Sequence, residues 1–158
     1  MLQRSLEAVG LDRVRGVATG ALLFAFFNLG LLIASLGASL LALERQTGST
    51  SDALTVTFTV RSVGYLTGSA LGGALVDKFP SRGHASVAVA LGTTSFATLA
   101  VPFASSVPLL CLLTATQGVA MGILDSMCNV LCIYMHGDGA GPWMQAIHLM
   151  FAVGAGVG

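Results

Sequence analysis

Residues 73–82 read Gly-Ala-Leu-Val-Asp-Lys-Phe-Pro-Ser-Arg and join two long apolar stretches of the chain. The apolar stretches cover residues 54–76 and 85–104, and each is close to the roughly 20 residues that a membrane-spanning helix needs. An acid, two bases and a proline stand together in the connecting segment. Proline breaks a helix and charged side chains keep to water, so the segment predicts a short turn between two membrane helices.

The composition of the whole chain also indicates a membrane protein. Apolar residues make up 54% of the sequence and charged residues 9%, whereas soluble domains carry about 25% charged residues. The formal net charge is zero, so no basic surface is available for nucleic acid. We therefore expect the lipid bilayer as a partner and no nucleic acid.

Further apolar runs predict an all-α fold, a polytopic transmembrane helix bundle of four helices and part of a fifth. Residues 1–16 are expected to form a cytoplasmic N-terminal segment and residues 17–158 the bundle. The last apolar run would extend only about 25 Å, less than the roughly 30 Å hydrocarbon core, so we interpret it as a truncated helix and the chain as a fragment. The helices are expected at residues 17–43, 54–76, 85–104, 109–135 and 142–158.

The distribution of basic residues predicts the orientation in the membrane. If the helices cross as expected, Arg45 stands alone on one side. Basic residues concentrate on the cytoplasmic side of membrane proteins, which predicts a cytoplasmic N-terminus, with the plasma membrane as the expected location. The residues on the predicted cytoplasmic side are Arg4, Arg13, Arg15, Lys78 and Arg82.

Glycines spaced four residues apart predict close helix packing. In lipid, this spacing lets two backbones approach, because apolar burial no longer drives helix association. The glycines are Gly64, Gly68 and Gly72 in the second predicted helix and Gly118 and Gly122 in the fourth.

A carboxylate and a carboxamide share one face of the fourth predicted helix. Asp125 and Asn129 are one helical turn apart, on the face that carries Gly118 and Gly122. An ionisable group within a span is costly and normally faces the bundle interior or water. The pair could bind sugar hydroxyls or a cation, or it could be a hydrogen bond that only holds the bundle together.

Other polar residues within the spans have two interpretations each. Arg61 either takes part in gating or in the solute pathway, or anchors the helix at the membrane interface. Asp125 is expected to lie about 13 Å deeper in the membrane than Arg61, so we do not expect these two residues to form an ion pair. Asn28 either lines a central cavity or bonds its own helix. Gln117 is either a sugar ligand or a structural bond. His148 either takes part in proton coupling or is satisfied by a nearby carbonyl.

The turn at residues 73–82 resembles a loop of the major facilitator superfamily. In that loop a glycine, a leucine and an acid precede several basic residues. Pro80 and Ser81 depart from the pattern, standing where a glycine and a base are usual. The resemblance implies that Asp77 receives helix-end dipoles and cationic partners from a C-terminal half and so latches the outward-open state. A turn that merely maintains topology is the alternative. The matching residues are Gly73, Leu75, Asp77, Lys78 and Arg82.

Two further segments resemble the branch of this superfamily that holds sodium-dependent glucose transporter-like proteins and their fucose-permease relatives. In that branch, an acid and an asparagine mark the fourth helix, and a Gln-Ala-x-His segment opens the fifth. Residues 118–129 and 141–148 match these features. Together with Asn28 and Gln117, the candidate solute-binding residues are Asp125, Asn129, Gln145 and His148.

The resemblance implies a secondary active transporter that moves a hexose or related sugar by alternating access, with Na⁺ or H⁺ as coupling ion. It also implies a C-terminal half beyond this chain. No resident cofactor or metal is expected, and no enzyme activity, because zinc-type His/Glu motifs, serine-glycine elbows and paired acids are absent from the sequence. The alternatives are a truncated, non-transporting protein that acts as a helix-packing partner, and a channel.

Overall fold

The computed structural model of the protein describes residues 2–158, with side chains described from Arg13 onward except that of Pro80. The side chain of Arg4, one of the basic residues behind the predicted orientation, therefore lies outside the described residues. Over residues 2–158 the chain is helical and has no strand, which confirms the all-α bundle. The α-helices are α1 (Leu2–Ala38), α2 (Leu40–Thr47), α3 (Ser51–Lys78), α4 (Gly83–Ala100), α5 (Val107–His136) and α6 (Ala140–Val157).

The first apolar run forms two helices rather than one. Helix α1 begins well before residue 17 and ends at Ala38, and the short helix α2 follows it. The backbone hydrogen bonds of Ser39 to Ser35 and of Leu43 to Ser39 still have helical spacing, so the break is slight. Gly48 then ends α2 with a φ of 62°, a left-handed conformation that suits glycine.

Within the described residues, three segments are long and apolar enough to cross a membrane: Arg13–Ala38, Gly83–Phe103 and Val107–Val157. The third segment contains both α5 and α6. Helix α3 is not among them, because the charge of Arg61 and the hydroxyls of the many serines and threonines in this helix lower its mean hydropathy. The predicted span over residues 54–76 thus remains a prediction.

Helices α3 and α5 pack with their backbones in contact. A methyl group added at Gly68 would overlap the carbonyl oxygen of Val119, and one added at Gly122 would overlap that of Tyr65. The predicted glycine strips therefore face each other across this interface. Two serine hydroxyls reinforce it, since Ser69 donates to the carbonyl of Gly122 (3.4 Å) and Ser126 donates to that of Ser69 (3.1 Å).

Helices α1 and α6 form a second close pair. A methyl group at Gly30 would overlap the carbonyl oxygen of Phe151, and one at Gly154 would overlap that of Phe27. Helix α5 joins the two pairs and also packs against α4. The bundle thus consists of two glycine-packed pairs around a shared apolar core that includes Phe26, Leu29, Met121, Leu124 and Ile147.

Candidate functional site

The carboxylate of Asp125 lies in a hydrogen-bonded cluster between α3 and α5. The Tyr65 hydroxyl donates to Asp125 Oδ2 at 2.8 Å, and the Asn129 amide nitrogen lies 3.2 Å from Asp125 Oδ1. The same nitrogen also donates to the Asp125 backbone carbonyl at 3.0 Å. The predicted pair of Asp125 and Asn129 is therefore in contact, and a tyrosine from the neighbouring helix completes the cluster.

The amide oxygen of Asn129 is buried and has no hydrogen-bond partner within the described part of the chain. Buried acceptors are normally satisfied, because an unpaired one loses its interactions with water. This oxygen lies on the residue whose nitrogen contacts Asp125 Oδ1. The cluster thus combines a carboxylate with a free acceptor, a combination that can take up a proton or an oxygen-coordinated cation.

Arg61, one turn before Tyr65 on α3, bonds helix α1 rather than Asp125. Its two terminal nitrogens donate to the backbone carbonyls of Leu32 (3.3 Å) and Ile33 (3.1 Å). Its guanidinium carbon also lies 6.0 Å from the ring centre of Phe58, within cation–π range. These contacts agree with the expectation that Arg61 and Asp125 do not pair directly, and they fix the guanidinium in place.

A cavity of about 360 Å³ opens beside Arg61 and Tyr65. Tyr65 belongs to both features, because its side chain lines the cavity while its hydroxyl contacts Asp125. The lining residues are Ile33, Arg61, Ser62, Tyr65, Leu66 and Met121.

Two predicted solute ligands bond elsewhere in the bundle. The amide nitrogen of Asn28 donates to the carbonyl of Phe24 on its own helix at 2.8 Å. The amide nitrogen of Gln117 donates to the Thr98 hydroxyl on α4 at 2.9 Å, and Gln117 is buried there. Both side chains thus form a hydrogen bond within the protein, which was the alternative to solute binding.

Gln145 and His148 are exposed on α6, and neither forms a hydrogen bond with the Asp125 cluster within the described residues. The His148 ring meets the Phe26 ring edge-on, with 5.3 Å between the ring centres. Of the six predicted solute ligands, the structure thus brings only Asp125 and Asn129 into direct contact within the described residues.

The turn after α3 is exposed at Asp77 and Lys78. The Lys78 and Arg82 charges lie 5.6 and 5.5 Å from the ring centre of Phe79, so both cations are within cation–π range of this ring. Gly73 has open space beside it, and Leu75 is half-buried. The proposed latch at Asp77 remains a prediction, because it requires a partner outside these residues.

Sequence reasoning missed Tyr65, which connects the acid to the cavity. A signal was present, since Tyr65 directly follows Gly64 and thus borders the predicted close-packed strip of α3. The spacing from Arg61 to Tyr65 also places both residues on one side of that helix.

Comparison with known proteins relates these features to a family. The chain is 38% identical over 141 residues to sodium-dependent glucose transporter 1 of Danio rerio, covering 89% of this chain and 23% of the relative. It is 35% identical to sodium-dependent glucose transporter 1 of Homo sapiens, covering 82% of this chain and 25% of the relative. The chain is a homologue of major facilitator superfamily proteins.

A third relative is major facilitator superfamily domain-containing protein 4B of Danio rerio, with 33% identity over 82% of this chain and 24% of the relative. The chain therefore spans about a quarter of the length of these curated relatives. No protein-family profile matches the chain, and no solved structure matches it significantly.

The relatives and the apolar helices together identify an integral, multi-pass membrane protein. Two of the relatives above are named as glucose transporters, which supports the prediction that this superfamily homologue is not an enzyme. The predicted resemblance to the major facilitator superfamily and to its sodium-dependent glucose transporter-like proteins is confirmed by the same relatives.

Proposed function

We propose that this superfamily homologue forms part of a secondary active transporter that moves a hexose or related sugar by alternating access. The names of the relatives support this class of solute. We further propose that Na⁺ or H⁺ drives the movement and that the N-terminus faces the cytoplasm, with the plasma membrane as the site of action. A C-terminal half would be the partner of this bundle.

The observation that carries the proposal is the Asp125 cluster. A carboxylate in a membrane-spanning helix is costly and is retained mainly at ion and solute pathways. Here its two oxygens contact Tyr65 and Asn129, while the Asn129 amide oxygen is left free. In the proposed cycle, Na⁺ or H⁺ neutralises Asp125 before the transporter turns over, so that ion binding and solute movement depend on the same group.

The packing of the bundle supports an alternating-access mechanism. Transporters of this kind rock rigid groups of helices about a central site. The backbone contacts of α3 with α5 and of α1 with α6 leave no room for side-chain adjustment at Gly68 or Gly154. Because α5 also joins the two pairs, the bundle is suited to move as one body, with Asp125 held between α3 and α5.

Sugar accumulation in proteoliposomes tests the proposal. The complete protein that carries this chain would be reconstituted and supplied with radiolabelled glucose under an inward Na⁺ gradient, an inward H⁺ gradient or no gradient. We expect internal glucose to exceed external glucose under one gradient and to equilibrate after an ionophore collapses it. Flux that only equilibrates would indicate a channel or uniporter, and the absence of flux would favour the helix-packing partner.

A further inference from the structure

The cavity beside Arg61 is lined by both polar and apolar residues. Its volume is about 360 Å³, and it lies between helices α1, α3 and α5. Ile33, Leu66 and Met121 supply the apolar walls, while Arg61 and Tyr65 supply charge and hydroxyl. Small-molecule sites commonly combine a mostly apolar surface with a few placed polar groups.

Arg61 presents unused donors at this cavity. A guanidinium carries five N–H donors and keeps its charge. The contacts with the carbonyls of Leu32 and Ile33 account for two of them. No carboxylate forms an ion pair with Arg61 in the described part of the chain, so its remaining donors are available to an oxygen-bearing ligand.

Tyr65 lines the same cavity and carries a hydroxyl group. A phenol has one proton, and Tyr65 donates it to Asp125 Oδ2. The lone pairs of its oxygen are therefore left to accept a hydrogen bond from elsewhere. Because Arg61 and Tyr65 are one helical turn apart, the cavity offers donors and an acceptor side by side, next to an aromatic ring.

We propose that this cavity binds a neutral, polyhydroxylated ring. Arg61 donates to one or two ring-substituent oxygens, and the Tyr65 oxygen accepts from a neighbouring hydroxyl. The inference rests on the proposed transport function and places the sugar at residues that the sequence did not single out as solute ligands. It also places the sugar one hydrogen bond from Asp125, because Tyr65 contacts both.

Equilibrium binding of glucose and its monodeoxy analogues to the complete, purified protein tests the inference. The variants are Arg61→Lys, which keeps the charge but loses the planar fork, and Tyr65→Phe, which loses only the hydroxyl. Arg45→Lys and Tyr134→Phe are matched controls, because both residues are exposed and neither lines the cavity. Leu66→Trp, at an exposed position of the lining, narrows the cavity while every hydrogen bond remains.

We expect Arg61→Lys and Tyr65→Phe to weaken glucose binding by about 10- to 100-fold, the range for losing a hydrogen bond to a bound hydroxyl. Leu66→Trp should weaken it by occluding the cavity. The controls should bind as the unmodified protein does. One monodeoxy analogue should bind the unmodified protein about tenfold more weakly than glucose does. Tyr65→Phe should bind that analogue and glucose equally well. This non-additive pattern would identify the sugar hydroxyl that donates to Tyr65, and a folding defect could not produce it.

The outcomes separate the two proposals. If the unmodified protein accumulates glucose while both Arg61→Lys and Tyr65→Phe bind it normally, the cavity is not the sugar site and the transport function stands. Tighter binding of glucuronate than of glucose would overturn the neutral-ring assignment. If the unmodified protein neither binds nor moves glucose, the transport function is wrong, and the cavity assignment falls with it. Should Arg61→Lys not fold, normal binding by Leu66→Trp would overturn the assignment on its own.

Discussion

The Tyr65 hydroxyl lies 2.8 Å from Asp125 Oδ2, so a hydrogen bond joins two residues that are sixty positions apart in the sequence. The contact crosses one of the two glycine-packed interfaces of the bundle, where glycines bring α3 and α5 together. Close backbone packing therefore places a polar pair in the interior, and the proposed ion coupling depends on this placement.

Asp125→Asn should abolish accumulation of sugar against its gradient. The amide still accepts the hydrogen bond from Tyr65 but carries no charge, so neither Na⁺ nor H⁺ can neutralise it. The steady-state ratio of internal to external glucose in proteoliposomes should fall to one. Asp138→Asn, in the exposed turn after α5, is the control. Accumulation by Asp125→Asn at the unmodified level would contradict the assigned role.

Gly68→Ala should destabilise the bundle through the α3–α5 contact. The added methyl meets the Val119 carbonyl, and overpacking of this kind costs about 1–3 kcal/mol. The matched control is Gly92→Ala, since Gly92 is a helical glycine in α4 with open space beside it. That change should be neutral or stabilising by up to about 1 kcal/mol, because alanine is the better helix former. Unfolding in detergent, followed by helical circular dichroism, measures both, and equal effects would refute the close contact.

Gly154→Ala and Gly156→Ala should differ in sign although they lie two residues apart on α6. A methyl at Gly154 meets the Phe27 carbonyl of α1, whereas a methyl at Gly156 meets nothing within 4 Å. We expect a loss of about 1–3 kcal/mol for the first and a small gain for the second. The same unfolding measurement decides, and a stable Gly154→Ala protein would show that α1 and α6 are not in backbone contact.

Gln117→Leu should affect stability and leave sugar affinity unchanged. Its amide bonds the Thr98 hydroxyl between α5 and α4, away from the cavity beside Arg61. A double-mutant cycle with Thr98→Val should give a coupling of about 1 kcal/mol, typical of a neutral hydrogen bond. A tenfold loss of glucose affinity in Gln117→Leu would instead return Gln117 to the solute site.

Asp77→Asn should slow turnover without changing stability or glucose affinity. Asp77 is exposed in the described structure, so its loss removes no internal contact. If it latches one conformation against a C-terminal half, the transport rate should fall about tenfold, within the usual range of conformational coupling energies. Asp52→Asn, exposed at the other end of α3, is the control. An unchanged rate would leave the turn with a topological role only.

Sequence reasoning identified the parts of the site that lie on one helix. The spacing of Asp125 and Asn129 predicts their contact, and the glycine spacing predicts a close interface, because both follow from helical geometry alone. Tyr65 and the positions of Gln117, Gln145 and His148 depend on which helices become neighbours. A single helix does not carry that information, so these residues could only be assigned once the bundle was assembled.

The exclusion of α3 from the strongly apolar segments has a consequence for the order of assembly. Helix α3 leaves the ribosome before α5, yet its glycine strip and Tyr65 need α5 as a partner. The ribosome adds about 5–20 residues per second, so the sixty residues from Tyr65 to Asp125 take about 3–12 seconds to synthesise. Helix α3 has no α5 to pack against during this time. During that delay, the bonds from Arg61 to the already synthesised α1 are available to retain it. The arginine can thus serve during insertion, before any cavity exists.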